Sequence, residues 1–397
     1  MRRLSVWVCD REVGVLQENP DSGTFDFAYR PDVPPAFAVS LTMPVGLPAH
    51  EYEGFNRIPP PFEVSLPEGF VLEALRRRFA KVVDVDDDFA LLQLVGRHTV
   101  GRVTFGGPLE TEPSLDRQIL AAARTEGAAR TLFEILKAHP QTTGISGVMP
   151  KMSHGQGDRS RHPGTAVVGG ALVKFDTPEY PGAALVEFAC LRACQAAGLS
   201  VPDIRLSPDA SALTIARFDV APDGARRGFE DACALSGLAR HGKYRGTVQD
   251  LFHMIGHFMA PPAQAEARRE LVRRLLANDL LRNGDAHLKN FGLVYDDPAS
   301  PSLAPVFDVL TTTVWIPGDR PALRLTADSA AAQWLDAAGL DTLAGLAEMP
   351  AESVRALHAE LRARMLPALQ AVSLQAQPTE HGAARAALEQ ALRDIGA

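Results

Sequence analysis

Asp285 and Asn290 stand five residues apart in Asn283-Gly284-Asp285-Ala286-His287-Leu288-Lys289-Asn290-Phe291-Gly292, and Asp308 follows in Ala304-Pro305-Val306-Phe307-Asp308-Val309-Leu310. A carboxylate that accepts a hydroxyl proton, and an amide oxygen and second carboxylate that hold Mg2+, are central equipment for phosphoryl transfer. Hard oxygen donors of this kind suit Mg2+ far better than zinc. Taken alone, the Asp-to-Asn spacing is equally that of a loop closed by Asx turns. Upstream, Lys174 ends the apolar run Gly170-Ala171-Leu172-Val173. An ammonium there either meets something anionic, such as ATP phosphates, or snorkels from a sheet edge. Glu187 sits among apolar neighbours in Leu185-Val186-Glu187-Phe188 and reads as the partner of Lys174 or as a plain exposed carboxylate. Thr142-Thr143-Gly144-Ile145-Ser146-Gly147-Val148-Met149-Pro150-Lys151 carries glycines that let backbone N–H groups approach phosphates. Glycine loop, strand Lys, helix Glu, Asp-to-Asn loop and strand-end Asp follow one another in the order that protein kinases use. No one of these elements is specific; their order is.

These side chains need elements to hold them. Residues 1 to about 110 read as β-rich: Leu4–Val8 is strand-like, Glu12–Leu16 is its hairpin partner, and Thr24–Tyr29 alternates with period two. Eight prolines between Pro31 and Pro61 predict a long irregular connection. A helix is expected over Gly69–Lys81, with Leu72, Leu75 and Phe79 on one face and Arg76-Arg77-Arg78 solvated. Next come a helical pattern over 117–137, a loop over Thr142–Gly169, and a strand over Gly170–Phe175. A helix over Ala184–Ala197 ended by Gly198 and a strand over Ala212–Phe218 follow. Beyond about 245 the chain is mostly helical apart from Phe291–Tyr295 and Leu303–Val309, and 351–396 reads as two helices parted near Pro378. The expected fold class is α+β, with segments 1–110, 111–222 and 223–397 as a β-rich subdomain, the rest of a smaller lobe, and a helical lobe.

At 397 residues the chain has room for two or three domains. Apolar residues at 46% and charged residues at 22% exclude bulk disorder and fibrous folds. A formal charge of −8 argues against nucleic-acid binding over the whole surface. Cys9, Cys190, Cys194 and Cys233 are too scattered for a disulfide framework and point to a reducing compartment. With no signal-peptide core and no long apolar span, a cytoplasmic protein without membrane attachment is expected. There is no GxxxxGK[ST], GxGxxG or GxSxG segment. His253 and His257 are spaced like zinc-protease ligands, but Gly256 stands where the Glu would be, so a half-exposed pair is expected. Cys190 and Cys194 share a helix face and read as core.

Four segments together carry a family resemblance. Ile145-Ser146-Gly147-Val148-Met149-Pro150-Lys151, Phe229-Glu230-Asp231, Asn283 through Asn290, and Leu303 through Leu310 resemble those of HipA-type serine/threonine kinases, toxin halves of bacterial toxin–antitoxin pairs. The likeness spans most of the chain. It implies a two-lobed, protein-kinase-like fold using ATP and Mg2+. Asp285 is then the catalytic base, Asn290 and Asp308 hold the metal, and Lys174, paired with Glu187, meets ATP. Ala216, Phe218, Ser146, Gly147 and His287 are implied at the ATP site, Ala216-Arg217-Phe218-Asp219 bordering the adenine. Ser146 is the implied autophosphorylation site, where two added negative charges would act as a switch. Met149, Ala216 and Val186 depart from the family's usual Gln, Glu and Asn, and leave the catalytic set intact. The resemblance further implies a HipB-like helix-turn-helix antitoxin, DNA binding only through that partner, and a translation-related protein substrate such as an aminoacyl-tRNA synthetase. Two other readings stay open: a small-molecule kinase with the same lobes, and an idle ATP-binding partner of a repressor.

Overall fold

Leu4, Val6 and Val8 alternate along β1 (Arg3–Val8), and all three are buried on one face. β1 pairs antiparallel with β2 (Arg11–Glu18), and β2 with β3 (Phe25–Tyr29). β4 (Val103–Phe105) pairs with the other edge of β1, giving the order β3-β2-β1-β4. The computed structural model describes residues 1–67, 72, 84, 87–108, 113–138, 164–168, 170–221, 223–375 and 382–396. The proline-rich connection is largely irregular, with two 3-10 turns and a short helix α1 (Pro60–Glu63). α2 (Asp88–Val95) is capped by Asp87, whose carboxylate accepts from Phe89 N at 2.9 Å. Phe27, Phe62, Phe89 and Phe105 fill the core of this domain. The helix expected over Gly69–Lys81 lies outside the described residues except for Leu72.

The helical pattern over 117–137 is two helices, α3 (Pro113–Ala122) and α4 (Ala128–Ala138). Gly127, at φ 72°, breaks them apart, and its N–H donates to Asp209 at 2.9 Å. The expected Thr142–Gly169 loop ends in a strand, β5 (Gly164–Val168), which pairs with β6 (Ala171–Phe175). β7 (Ile204–Leu206) and β8 (Ala212–Ala216) complete an antiparallel sheet of order β5-β6-β8-β7. Val173, Phe175 and Ala212 pack against α3 and α4. Leu213 and Ile215 face the large core built around α5 (Ala183–Ala196). Cys190 and Cys194 are fully buried there.

Next come β9 (Gly228–Asp231), α6 (Ala232–Leu235), α7 (Val248–Phe258), α8 (Pro261–Leu280), β10 (Gly292–Tyr295) and β11 (Ser302–Leu303). The strand expected over Leu303–Val309 stops at Leu303. Pro305 has no N–H to donate, and Asp308 takes the left-handed φ of 54°. α9 (Ala337–Ala347), α10 (Ala351–Gln375) and α11 (Gly382–Ile395) close the helical lobe, and the break expected near Pro378 lies outside the described residues. α11 packs tightly on the start of α5: a β-carbon on Gly182 would sit 2.6 Å from Ala384 Cα. The same helix holds Thr313, whose hydroxyl donates to Asp394 at 2.6 Å. His253 and His257 are exposed on α7. Among the described residues no helix is long and apolar enough to cross a membrane.

The β-rich domain docks through a buried carboxylate. Glu230 accepts from Ser40 Oγ at 2.5 Å, Leu41 N at 2.8 Å and Tyr295 Oη at 2.6 Å. Burial pushes its pKa up, while these donors pull the other way. Asp219, held by Arg217, accepts from Gly101 N at 2.7 Å and makes a second bridge between the domains.

Candidate active site

Strand β6 and the residue that follows it grip helix α5 at two points. Lys174 Nζ lies 2.6 Å from Glu187 Oε1, both side chains being almost wholly buried. Two residues further on, Asp176 accepts from Gly182 N at 2.6 Å and Ala184 N at 2.9 Å. α5 needs this, because its own N-cap is Gly182, at φ 80° and with no side chain to offer. Burial pushes the Asp176 carboxyl up to about 7, against those two amide bonds. Lys174 also pairs with Asp308, so one ammonium bridges helix α5 and the segment after β11.

The loop after α8 is held by its asparagines. Arg282 takes φ 53°, turning the chain out of the helix. Asn283, 1% exposed, donates through Nδ2 to Asn278 Oδ1 at 2.7 Å and to the Asp308 carbonyl at 3.1 Å. Its Oδ1 accepts from Asp285 N at 3.2 Å. Thr312 Oγ1 accepts from Gly284 N at 2.8 Å. Gly284 has no room for a side chain, since a β-carbon would overlap the Asp319 carboxylate. His287 N donates to Asn290 Oδ1 at 2.9 Å and to the Asp285 carbonyl at 2.8 Å, fixing the Asn290 side chain and the Asp285 backbone to one turn. Tyr244 Oη donates to Asp285 Oδ1 at 2.6 Å.

The structure thus links Lys174, Glu187, Asp308 and Asn290 in one chain of polar contacts, with Asp285 and His287 on the same loop as Asn290. Ala216 turns its side chain away from this group. It pairs with Ala171, on the opposite face of the sheet from Lys174, which pairs with Leu213. The Phe218 ring packs against Phe229 and Phe307, centroids 5.2 and 5.4 Å away, so it reaches the neighbour of Asp308. Ser146 and Gly147 lie outside the described residues. Sequence reasoning assigned no role to Asn283, Tyr244, Thr312 or Asp176. Asn283 stood in the quoted motif, and the other three carry no local signal.

A divalent cation fits this donor set. Asn290 Nδ2 lies 3.5 Å from Asp308 Oδ2, and the Asp308 side chain is 28% exposed, so solvent reaches it. Among the described residues no group of three acidic, histidine or cysteine side chains could hold a metal. Two protein oxygens completed by phosphates and water are the ordinary Mg2+ arrangement.

Residues 143–369 match the family described as the HipA-like C-terminal domain, and residues 4–106 match the HipA N-terminal domain. The chain belongs to the HipA family. It is 31% identical over 330 residues, 77% of this chain and 76% of the relative, to Y4dM of Sinorhizobium fredii, whose name marks it as a candidate kinase. A second such protein of that organism, Y4mE, is 27% identical over 347 residues, 79% of this chain and 78% of the relative. HipA of Shewanella oneidensis MR-1, solved with HipB and operator DNA, superposes with a TM-score of 0.70 at 20% identity, covering 99% of this chain and 96% of that one. The α+β, kinase-like HipA fold therefore extends over the whole chain. Within it, Phe229-Glu230-Asp231 is structural: Glu230 docks the N-terminal domain and Asp231 caps α6 through Ala234 N at 2.9 Å.

Proposed function

We propose that this HipA-family chain transfers the ATP γ-phosphoryl group to a serine or threonine hydroxyl of another protein. The observation that supports it most is the position of Lys174, held between Glu187 and Asp308, with Asn290 beside Asp308 and Asp285 on the same loop. In this reading Lys174 exchanges its contact with Asp308 for ATP phosphate oxygens while Glu187 keeps it oriented. Asn290 and Asp308 would hold Mg2+, which when bound neutralises phosphate charge. Asp285 takes the proton of the acceptor hydroxyl. The chain needs little else, because phosphoryl transfer is mostly positioning and charge stabilisation.

Ser146 is assigned as the autophosphorylated residue on the sequence alone. Shewanella HipA was solved with HipB and operator DNA, which supports a HipB-like antitoxin as partner and DNA contact through it. Four free cysteines agree with a cytoplasmic setting. The toxin role and a translation-related target such as an aminoacyl-tRNA synthetase complete the reading. The test is to incubate the purified chain with MgATP and locate phosphate by peptide mass spectrometry, with Asp285→Ala alongside. Phosphate on Ser146 in the unaltered chain alone is the expected result. Nucleotide binding without any transfer would sink the proposal.

A further inference from the structure

The segment that faces the catalytic loop from the other side is Arg240–Gly246, between α6 and α7. Its backbone is fixed at both ends. Gly242 N donates to Ala239 O at 2.7 Å and Arg245 N to Gly242 O at 2.8 Å. Thr247 then starts α7 with a reciprocal capping box to Asp250. Between these anchors the segment packs on the loop. Lys243 C=O accepts from Leu288 N at 3.1 Å. Gly246 leaves so little space that a β-carbon would lie 2.6 Å from Leu288 Cδ1. The Tyr244 ring stands edge-on to His287, centroids 5.0 Å apart.

On that frame the Tyr244 hydroxyl donates to Asp285 Oδ1 at 2.6 Å. An aspartate carboxylate turns about Cα–Cβ and Cβ–Cγ unless something binds one of its oxygens, and a charge-assisted O–H···O⁻ bond is a strong way to hold it. Backbone contacts fix the loop around Asp285, and the Tyr244 hydroxyl adds a restraint on the side chain itself from a separate element. We propose that Tyr244 is a positioning residue for the catalytic base, setting the direction in which Asp285 presents its carboxylate to the acceptor hydroxyl. This rests on the reading of Asp285 as the base.

Two structural roles would look alike in a truncation, since the ring also packs on His287. They separate when the ring is kept. Tyr244→Phe in the full chain should lower kcat for phosphate transfer from MgATP about 10- to 100-fold, the scale of losing alignment at a reacting atom. KM for ATP and the melting temperature should stay unchanged. Tyr244→Phe combined with Asp285→Ala should be no slower than Asp285→Ala alone. Wild-type kcat in Tyr244→Phe, with loss only in Tyr244→Ala, would reduce Tyr244 to ring packing and overturn the proposal. Faster transfer in Tyr244→Phe would overturn it too, making the hydroxyl an occupant of the acceptor position. An unaltered chain that binds MgATP but transfers nothing overturns the kinase reading and this proposal together, whereas an active chain with an unaffected Phe variant overturns only this one.

Discussion

The side-chain amide of Asn283 donates to the backbone carbonyl of Asp308 across 3.1 Å, tying the loop that carries Asp285 and Asn290 to the segment that carries the second acidic residue. Both Arg282 and Asp308 hold left-handed backbone angles on either side of this bond, at φ 53° and 54°. Such conformations persist where the surroundings over-determine them, and Asn283 is the side chain that spans both.

Asn283→Ala therefore leaves the Asp308 carbonyl and the Asp285 amide without that partner in a buried place. A loss of about 2–3 kcal/mol in unfolding free energy is expected. Phosphate transfer should fall more steeply than MgATP binding, because the loop loses alignment while Lys174 remains. Chemical denaturation and a transfer assay on the same preparation read the two effects.

Lys174→Met strands Glu187, which is completely buried, without its cation. Breaking a buried pair from one side costs about 3–5 kcal/mol. The double variant Lys174→Met with Glu187→Leu should recover most of that stability yet remain unable to bind ATP, as calorimetric titration would reveal.

Asp285 and Asp308 should fail differently. Asp285→Ala should keep MgATP affinity and lose transfer, since only the proton acceptor goes. Asp308→Asn should shift the Mg2+ midpoint upward about tenfold or more and lower the rate with it. An unchanged Mg2+ titration in Asp308→Asn would remove Asp308 from the metal site.

Asp176 makes stability depend on pH with an unusual sign. In the folded chain it holds its proton up to about 7, whereas an unfolded chain releases it near ~4. Between those values the folded state binds more protons, so stability falls as pH rises through this window and the penalty is constant above it. Asp176→Asn removes that slope. Urea midpoints measured at about pH 5 and about pH 8 should converge in the variant relative to the unaltered chain.

Gly182→Val forces a side chain against Ala384 at a positive φ. α11 should loosen from α5, lowering the melting temperature and exposing residues after 382 to faster proteolysis. Transfer should drop as well, because α5 begins at that point and carries Glu187.

Much of this was legible in residue types and order. Lys174, Glu187, Asn290 and Asp308 could be grouped because phosphoryl transfer requires those chemistries in that sequence, and in the fold Lys174 meets Glu187 and Asp308 while Asn290 lies beside Asp308. The HipA resemblance rested on specific strings, and the family matches agree with it. Less legible was whatever depends on conformation rather than composition. Leu303–Val309 reads as a strand by its apolar residues, yet Pro305 and the turned backbone of Asp308 end the strand at once. The pattern over 117–137 has continuous helical spacing, but one glycine splits it. Tyr244 sits 41 residues before the carboxylate it bonds, and no local pattern announces a contact that only tertiary folding creates.

The clasp of α11 over α5 and Thr313 also has a bearing on when the site comes into being. A chain emerges from the ribosome N-terminus first. Lys174, Glu187, Asp285 and Asp308 all appear before Ala384 and Asp394, the residues that rest on Gly182 and bind Thr313. That helix is thus synthesised after everything it rests on. A nascent chain halted short of it would carry each of those side chains without that backing, so the proposed site is completed only once α11 has been made.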